Sequence, residues 1–201
     1  MIFYFAAKRT KVALVASVLI LTIQGLLSYQ GFYQDTSSTP PRFIFILLPT
    51  LLIILFTFFT QKGRDWMKSL DINLLIILSI IRIPVELILY SLFIHGAIPE
   101  LMTFEGRNFD ILAGITAPFV YYFIVVKKWN KNLLFYWNII GLLLILNIII
   151  AAILSAPAPF QQFAFDQPNI GILNFPFTLL GAYVAPVVLF SHLIMIYRKG
   201  E

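Results

Sequence analysis

Six apolar segments separated by polar connections set the pattern of this chain. Most of them approach the roughly 20 residues that a helix needs to cross a hydrocarbon core of about 30 Å, and the fourth is shorter. Their apolar residues form continuous runs, whereas a transmembrane barrel would show alternation. The pattern therefore predicts an all-α, six-helix transmembrane bundle that forms a single domain over residues 1–201. The predicted spans are residues 12–29, 43–60, 72–95, 111–126, 133–155 and 172–197.

Proline residues interrupt four of the predicted helices. Pro49, Pro118 and Pro186 lie in the second, fourth and sixth segments, and Pro84 lies in the third. Proline cannot donate a backbone hydrogen bond, and its ring crowds the preceding helical turn. We therefore expect the third and sixth helices to be kinked, with neighbouring helices satisfying the freed carbonyl groups.

Basic residues concentrate on every second connection. Lys127, Lys128 and Lys131 fill the fourth connection, which has no acidic residue, and the second connection and both terminal regions are also rich in lysine and arginine. The positive-inside rule then predicts that both termini are cytoplasmic (N-in, C-in). This topology accounts for the net charge of +5, so we expect the lipid bilayer as the partner and no nucleic acid.

Composition supports the membrane class and removes some chemistry. Hydrophobic residues make up 60% of the 201 residues and charged residues only 11%, whereas a soluble domain carries about 25% charged residues. Cysteine is absent, which excludes disulfides, thiolate metal sites and cysteine nucleophiles.

The third segment carries two ionisable residues and a proline within five positions. Arg82 and Glu86 are four residues apart, share a helix face with Tyr90, and flank Pro84. At about 1.5 Å per residue, Arg82 lies near the membrane midplane. Ionisable residues at that depth usually face the bundle interior. Two interpretations stay open: a neutralised pair that fixes helix rotation, or a gate or relay that acts on a solute.

Polar residues in four other segments have a comparable expected depth. They are candidates for one buried polar network together with Arg82, Glu86 and Tyr90. These residues are Gln24, Thr116, Asn147 and Tyr183. The alternative is that they only hydrogen-bond between helices, which is the stronger interpretation for Asn147.

Two long polar connections lie on the predicted outer side, at residues 95–110 and 155–176. Folded over the bundle, they would form a polar lid above the Glu86 face. Their outer-pocket candidates are His95, Glu100, Glu105, Arg107, Asn108, Asp110, Gln161 and Asp166. Asn108 or Asp110 is also suited to cap the fourth helix, and that role is compatible with a lid.

Cofactor sites have no clear signature in the chain. His95, Glu100, Glu105 and Asp166 have the chemistry of divalent-cation ligands but no recognised ligand spacing. His95 and His192 are the only histidines, and their expected depths differ by about 25 Å, which argues against a shared haem. We therefore predict no metal and no cofactor, and expect His192 to reach the cytoplasmic interface or to bond to a neighbouring helix.

The loop sequences "PELMTFEGRNFD" and "SAPAPFQQFAFDQPNIG" resemble those of an uncharacterised family of small bacterial multi-pass membrane proteins. The resemblance covers most of the chain and implies a place in the bacterial cytoplasmic (inner) membrane. It implies no activity and no residue roles.

Three functions stay open at this point. The leading hypothesis is translocation or binding of a small solute or proton, with Arg82 and Glu86 as gate or relay and the outer loops as vestibule. The second is a membrane-embedded enzyme that acts on a lipid or isoprenoid, with Glu86 as general acid or base. The third is a non-catalytic assembly subunit. The oligomeric state is not predicted.

Overall fold

The computed structural model describes residues 2–200, and within that range the chain is helical and contains no β-strand. Met1 and Glu201, the two ends of the predicted single domain, lie outside the described residues. The α-helices are α1 (Ile2–Ala6), α2 (Lys11–Tyr29), α3 (Ile44–Phe59), α4 (Gln61–Ser69), α5 (Ile72–Leu78), α6 (Arg82–Ile94), α7 (Ile111–Tyr121), α8 (Lys131–Leu154) and α9 (Ala185–Tyr197).

Four helical stretches of the described chain are long and apolar enough to cross a membrane. They are Lys11–Tyr29, Ile72–Ile94, Asn132–Leu154 and Leu180–Tyr197. The pair α3 and α4, bent by 96°, makes a fifth if it is counted as one span, and Ile111–Val126 is a shorter apolar helix. The all-helical, membrane-type prediction is confirmed, and length and apolarity support four to five spanning helices.

The two prolines expected to cause kinks coincide with departures from α-helical hydrogen bonding. A 3-10 turn at Ser79–Ile81 joins α5 to α6 just before Pro84, and a π-helical turn at Leu180–Val184 leads into α9 just before Pro186. Each segment nevertheless continues as one helical run. The missing proline N–H is therefore accommodated by a local change in helix type rather than by a sharp bend.

The sixth helix begins later than predicted. Gly171–Leu173 forms a separate 3-10 turn, and the first helical bond comes from the Thr178 amide to the Asn174 carbonyl at 3.1 Å. Pro176 lies between Leu173 and Thr178. Because Pro176 cannot donate a backbone hydrogen bond, the helical bonding pattern does not continue from Thr178 back to the 3-10 turn.

Helix α4 was not predicted, and hydrogen bonds between the end of α3 and the start of α4 stabilise the bend between these two helices. The Thr60 hydroxyl accepts a hydrogen bond from the Gly63 amide at 3.2 Å and so caps the start of α4. The Arg64 guanidinium donates to the carbonyls of Phe58 (3.0 Å) and Phe59 (3.2 Å), which are left free at the end of α3. A short helix that carries Lys62, Arg64 and Lys68 and buries Met67 is typical of the membrane interface.

Helix α9 lies at the centre of the bundle and α2 at its edge. In the apolar stretch that contains α9, 56% of the residues are buried, against 17% in α2. Helices α3, α5 and α8 pack against α9. The interior that could hold a site is therefore formed around α9.

Candidate functional site

Arg82 is the hub of a buried polar cluster. Its guanidinium Nη1 lies 2.9 Å from Oδ1 of Asp110, in an ion pair. Its Nη2 donates to the carbonyl of Gly141 at 3.1 Å and lies 2.8 Å from Nε2 of His192. Arg82 is only 2% exposed. One side chain from the start of α6 thus connects the start of α7 with α8 and α9.

The predicted pairing of Arg82 with Glu86 is corrected by this geometry. The carboxylate within ion-pairing distance of Arg82 is Asp110, while Oε1 of Glu86 accepts a hydrogen bond from the Asn108 amide at 2.5 Å. Asn108 and Asp110 are buried because the loop before the short helix α7 descends into the bundle. Two residues assigned to an outer pocket therefore belong to the buried site.

Asn108 bonds to the Glu86 carboxylate and to the backbone of Asp110. Its side-chain amide donates to Glu86 and to the Met102 carbonyl (3.1 Å), and its Oδ1 accepts from the Asp110 backbone amide at 3.2 Å. The last bond is a local Asx-type contact that fixes the approach of the chain to α7.

His192 extends the cluster towards the beginning of α8. Its Nδ1 lies 2.6 Å from Oδ1 of Asn138, and its ring packs against the Trp137 ring at a centroid distance of 5.4 Å. His192 is fully buried and bonds to neighbouring helices, which is one of the two predicted alternatives. We call the six connected residues the polar chain. Its members in order are Glu86, Asn108, Asp110, Arg82, His192 and Asn138.

A glycine makes the central contact possible. A Cβ atom placed on Gly141 would lie 2.5 Å from Cε1 and 2.7 Å from Nε2 of His192. Only a residue without a side chain lets the imidazole lie against α8 while Arg82 reaches the Gly141 carbonyl.

Charge and hydrogen bonding are not balanced within the polar chain. It contains two carboxylates, Glu86 and Asp110, and a single guanidinium, that of Arg82. Oε2 of Glu86 and Nε of Arg82 are buried and have no hydrogen-bond partner within residues 2–200. A buried polar atom without a partner is costly, so these atoms mark a place where a further group can bind.

A cavity of about 90 Å³ lies beside these atoms. Arg82, Glu86 and Asp110 line one part of it, and apolar residues such as Ile46 and Ile149 line the rest. A cavity of this size holds several water molecules or a small solute. The charged residues therefore adjoin a partly open cavity rather than a closed packing contact.

The two loops that were predicted to lie on the outer side, residues 95–110 and 155–176, meet each other at one end of the bundle. The Gln167 side chain donates to the carbonyls of Phe93 (3.1 Å) and Ile98 (2.5 Å). A second, open pocket of about 480 Å³ between the loops is lined in part by Glu100, Arg107 and Asp166.

The other three outer-pocket candidates do not line this pocket. His95 is exposed, and its Nδ1 bonds to the carbonyl of Ser91 in the same helix at 2.7 Å. Gln161 donates within its own loop, to the carbonyls of Phe163 and Ala164, and Glu105 is exposed. In the described chain, no three His, Cys, Asp or Glu side chains come together in a group that could hold a metal ion.

The single network expected from Gln24, Thr116 and Tyr183 is not what the structure contains. Gln24 donates to the Phe45 carbonyl at 3.1 Å, and the Tyr183 hydroxyl donates to Ser17 at 2.7 Å, both on the α2 side of the bundle. Thr116 accepts from the Trp137 indole at 2.9 Å. Depth along a helix axis did not predict these partners, because rotation about the axis decides which neighbour a side chain meets.

Asn147 and Tyr90 also lie apart from the polar chain. Asn147 is exposed and donates to the Arg107 carbonyl at 3.0 Å, so it ties α8 to an outer loop. The Tyr90 ring packs against Phe104 at a centroid distance of 5.0 Å. Both residues hold the loop at residues 95–110 in place over the bundle.

Fold and site together define an all-helical protein of membrane type with a buried, charged cluster beside a partly open cavity. No family model, curated protein or solved structure matches the chain.

Proposed function

We propose that this chain is a six-span protein of the bacterial cytoplasmic membrane, with both termini cytoplasmic, that binds a proton or small solute at the polar chain and translocates it through the polar pocket around Arg82 and Glu86. Four to five helices meet the length and apolarity expected of spans. The short apolar helix Ile111–Val126 supplies the sixth, because the buried loop before it carries the chain across the remaining depth. The basic connections support the orientation.

The observation that carries the proposal is the polar chain itself. It connects the outer loop at Asn108 to Asn138, which lies about 10 Å along α8 from its first residue. Such a connected line of polar groups through apolar surroundings is typical of ion and proton pathways.

The charge count indicates what the site would accept. Arg82 balances one of the two buried carboxylates, and a proton or a cationic group would balance the other. The unpartnered Oε2 of Glu86, beside the cavity, is the atom that would receive it. A proton, a small cation or an amine therefore suits the site better than an anion does.

Proton and cation flux in proteoliposomes tests this proposal. The wild-type protein should acidify the lumen under an imposed potential faster than protein-free vesicles, or should take up one member of a panel of small cations and amines. Glu86→Gln should abolish that flux. Tyr183→Phe is the matched control, since it removes a buried hydroxyl outside the polar chain.

Two results would reject the proposal. One is unchanged flux in folded Glu86→Gln protein, and the other is wild-type flux no greater than that of empty vesicles for protons and the whole panel. Far-UV circular dichroism and size-exclusion chromatography in detergent establish that the variants are folded.

A lipid- or isoprenoid-modifying enzyme is the second candidate, and the apolar lining of the cavity favours it. Apart from Arg82, Glu86 and Asp110, the cavity is lined by apolar residues and Gly181. A substrate with an apolar chain and a small polar head would fit that division, with Glu86 as general acid or base. Mass spectrometry of membrane lipids incubated with the protein tests it, and an unchanged lipid profile would reject it.

A further inference from the structure

A cleft separate from the polar chain opens between α2 and α3, over the surface of α9. Its volume is about 530 Å³. Ala13, Ala16 and Ile20 of α2 form one wall, and residues of α3 such as Ile53 form another. The small alanine side chains leave the space between α2 and α3 unfilled, and α2 has a low buried fraction.

The inner walls of this cleft offer almost no free polar group. The Thr50 hydroxyl donates to the Ala182 carbonyl at 2.6 Å, and the Thr57 hydroxyl donates to the Ile53 carbonyl at 2.7 Å. The Tyr183 hydroxyl is bonded to Ser17. The cleft therefore presents an apolar surface along the membrane-embedded part of α2 and α3.

One end of the cleft has a different chemistry. Lys62, Thr60 and Thr10 line it where α2 begins and α3 ends. The Thr10 hydroxyl is buried without a hydrogen-bond partner in the described chain. Lys62 is exposed and forms no ion pair among residues 2–200, whereas its neighbour Arg64 is engaged by the carbonyls at the end of α3.

An apolar cleft that opens to a bilayer is filled by what the bilayer supplies. Water is not stable against such walls, and an empty cleft would lose dispersion contacts on every side. An acyl chain restores those contacts, and a lysine at the mouth attracts a negatively charged headgroup.

We propose that this cleft is a binding site for one anionic phospholipid. One acyl chain lies between α2 and α3, and the phosphate group lies against the exposed Lys62 at the mouth of the cleft. The lipid would fix the position of α2, because few side chains of α2 reach the bundle directly. This site is distinct from the polar chain and does not depend on the function proposed above.

Native mass spectrometry of the detergent-purified chain tests the proposal. The protein is mixed with equal amounts of phosphatidylglycerol and phosphatidylcholine that carry the same acyl chains. We expect one phosphatidylglycerol to be retained in preference to phosphatidylcholine. Ala16→Phe fills the cleft and should abolish retention of both lipids. Val18→Phe is the matched control, since Val18 is on the same helix but faces away from the cleft.

The headgroup contact is tested separately. Lys62→Glu should lower the preference for phosphatidylglycerol by at least about fivefold, which is the effect of removing one membrane-proximal lysine alone. Lys128→Glu, at an exposed lysine remote from the cleft, should leave it unchanged. Equal retention of the two lipids by the wild type, undiminished retention by Ala16→Phe, or an unchanged preference in Lys62→Glu would each overturn the proposal.

Discussion

Replacement of Gly141 by alanine should break the polar chain at its centre. The added methyl group would lie 2.5 Å from Cε1 and 2.7 Å from Nε2 of His192, well inside van der Waals contact. The imidazole is fully buried and cannot move freely, so either the ring leaves Arg82 or α8 moves away from α9. Either response lengthens the 2.8 Å contact between Arg82 and His192.

The expected loss of stability has three parts. Overpacking a core costs about 1–3 kcal/mol. The lost hydrogen bond to a charged guanidinium adds about 1.5–3 kcal/mol. The higher helix propensity of alanine than of glycine stabilises the helix by about 0.5–1 kcal/mol and offsets part of this loss. Gly141→Ala should therefore lower the free energy of unfolding by roughly 2–5 kcal/mol.

This loss can be measured by unfolding the protein in mixed micelles with increasing fractions of sodium dodecyl sulfate. Far-UV circular dichroism monitors the unfolding. Gly25→Ala is the matched control, since its added Cβ would meet only Phe175 at an ordinary 3.8 Å. That change should alter stability by less than about 1 kcal/mol. If Gly141→Ala proved as stable as Gly25→Ala, the close packing of His192 on α8 would be refuted.

Three further predictions rest on other parts of the structure. Asp110→Asn leaves the Arg82 guanidinium buried without its counter-ion, which should lower the free energy of unfolding by about 3–5 kcal/mol in the same assay. The double replacement Arg82→Met with Asp110→Leu should recover most of that loss. An Asp110→Asn variant as stable as the wild type would contradict the ion pair. Thr60→Ala removes the N-terminal cap of α4 and should destabilise that helix by about 1 kcal/mol. The loss should appear as faster hydrogen exchange of the Gly63 amide, and unchanged exchange would exclude the cap. Burial raises the pKa of the Tyr33 hydroxyl to about 12. Its contribution to stability is therefore complete below pH 10 and is lost as the pH rises towards 12. The difference in 295 nm absorbance between wild type and Tyr33→Phe should titrate at about pH 12, and a midpoint near pH 10 would contradict this.

The helices were largely predictable because the bilayer imposes a simple rule on their length and composition. The apolar segments at residues 12–29, 43–60 and 72–95 lie within one residue of α2, α3 and the α5–α6 run. Helix α4 was missed because its apolar face is short and its stability depends on Thr60 and Arg64, which bond across the bend.

The site was predictable only in part, because sequence spacing reports neighbours on one helix and not neighbours across helices. Arg82 and Glu86 were recognised from their depth and shared face, and both are buried beside a cavity. Asp110 was assigned to the loop at residues 95–110. Asn138 lies in a mostly apolar run, and nothing in the local sequence marked it as part of a site. The descent of the loop before α7 brings Asp110 to Arg82, and no local pattern predicts how deep a loop descends.

The hydrogen bonds of the polar chain indicate different roles for its Glu86 end and its His192–Asn138 end. A guanidinium only donates, so Nε2 of His192 accepts from Arg82 and the ring proton is on Nδ1, which donates to Asn138. His192 is thereby held neutral in one tautomer and has no free site for a further proton while Arg82 remains in place. Asp110 is likewise occupied by Arg82. Oε2 of Glu86 has neither a hydrogen-bond nor an ion-pair partner within residues 2–200, so a proton or cation would bind there, and Arg82, His192 and Asn138 would act by holding α6, α8 and α9 in place around it.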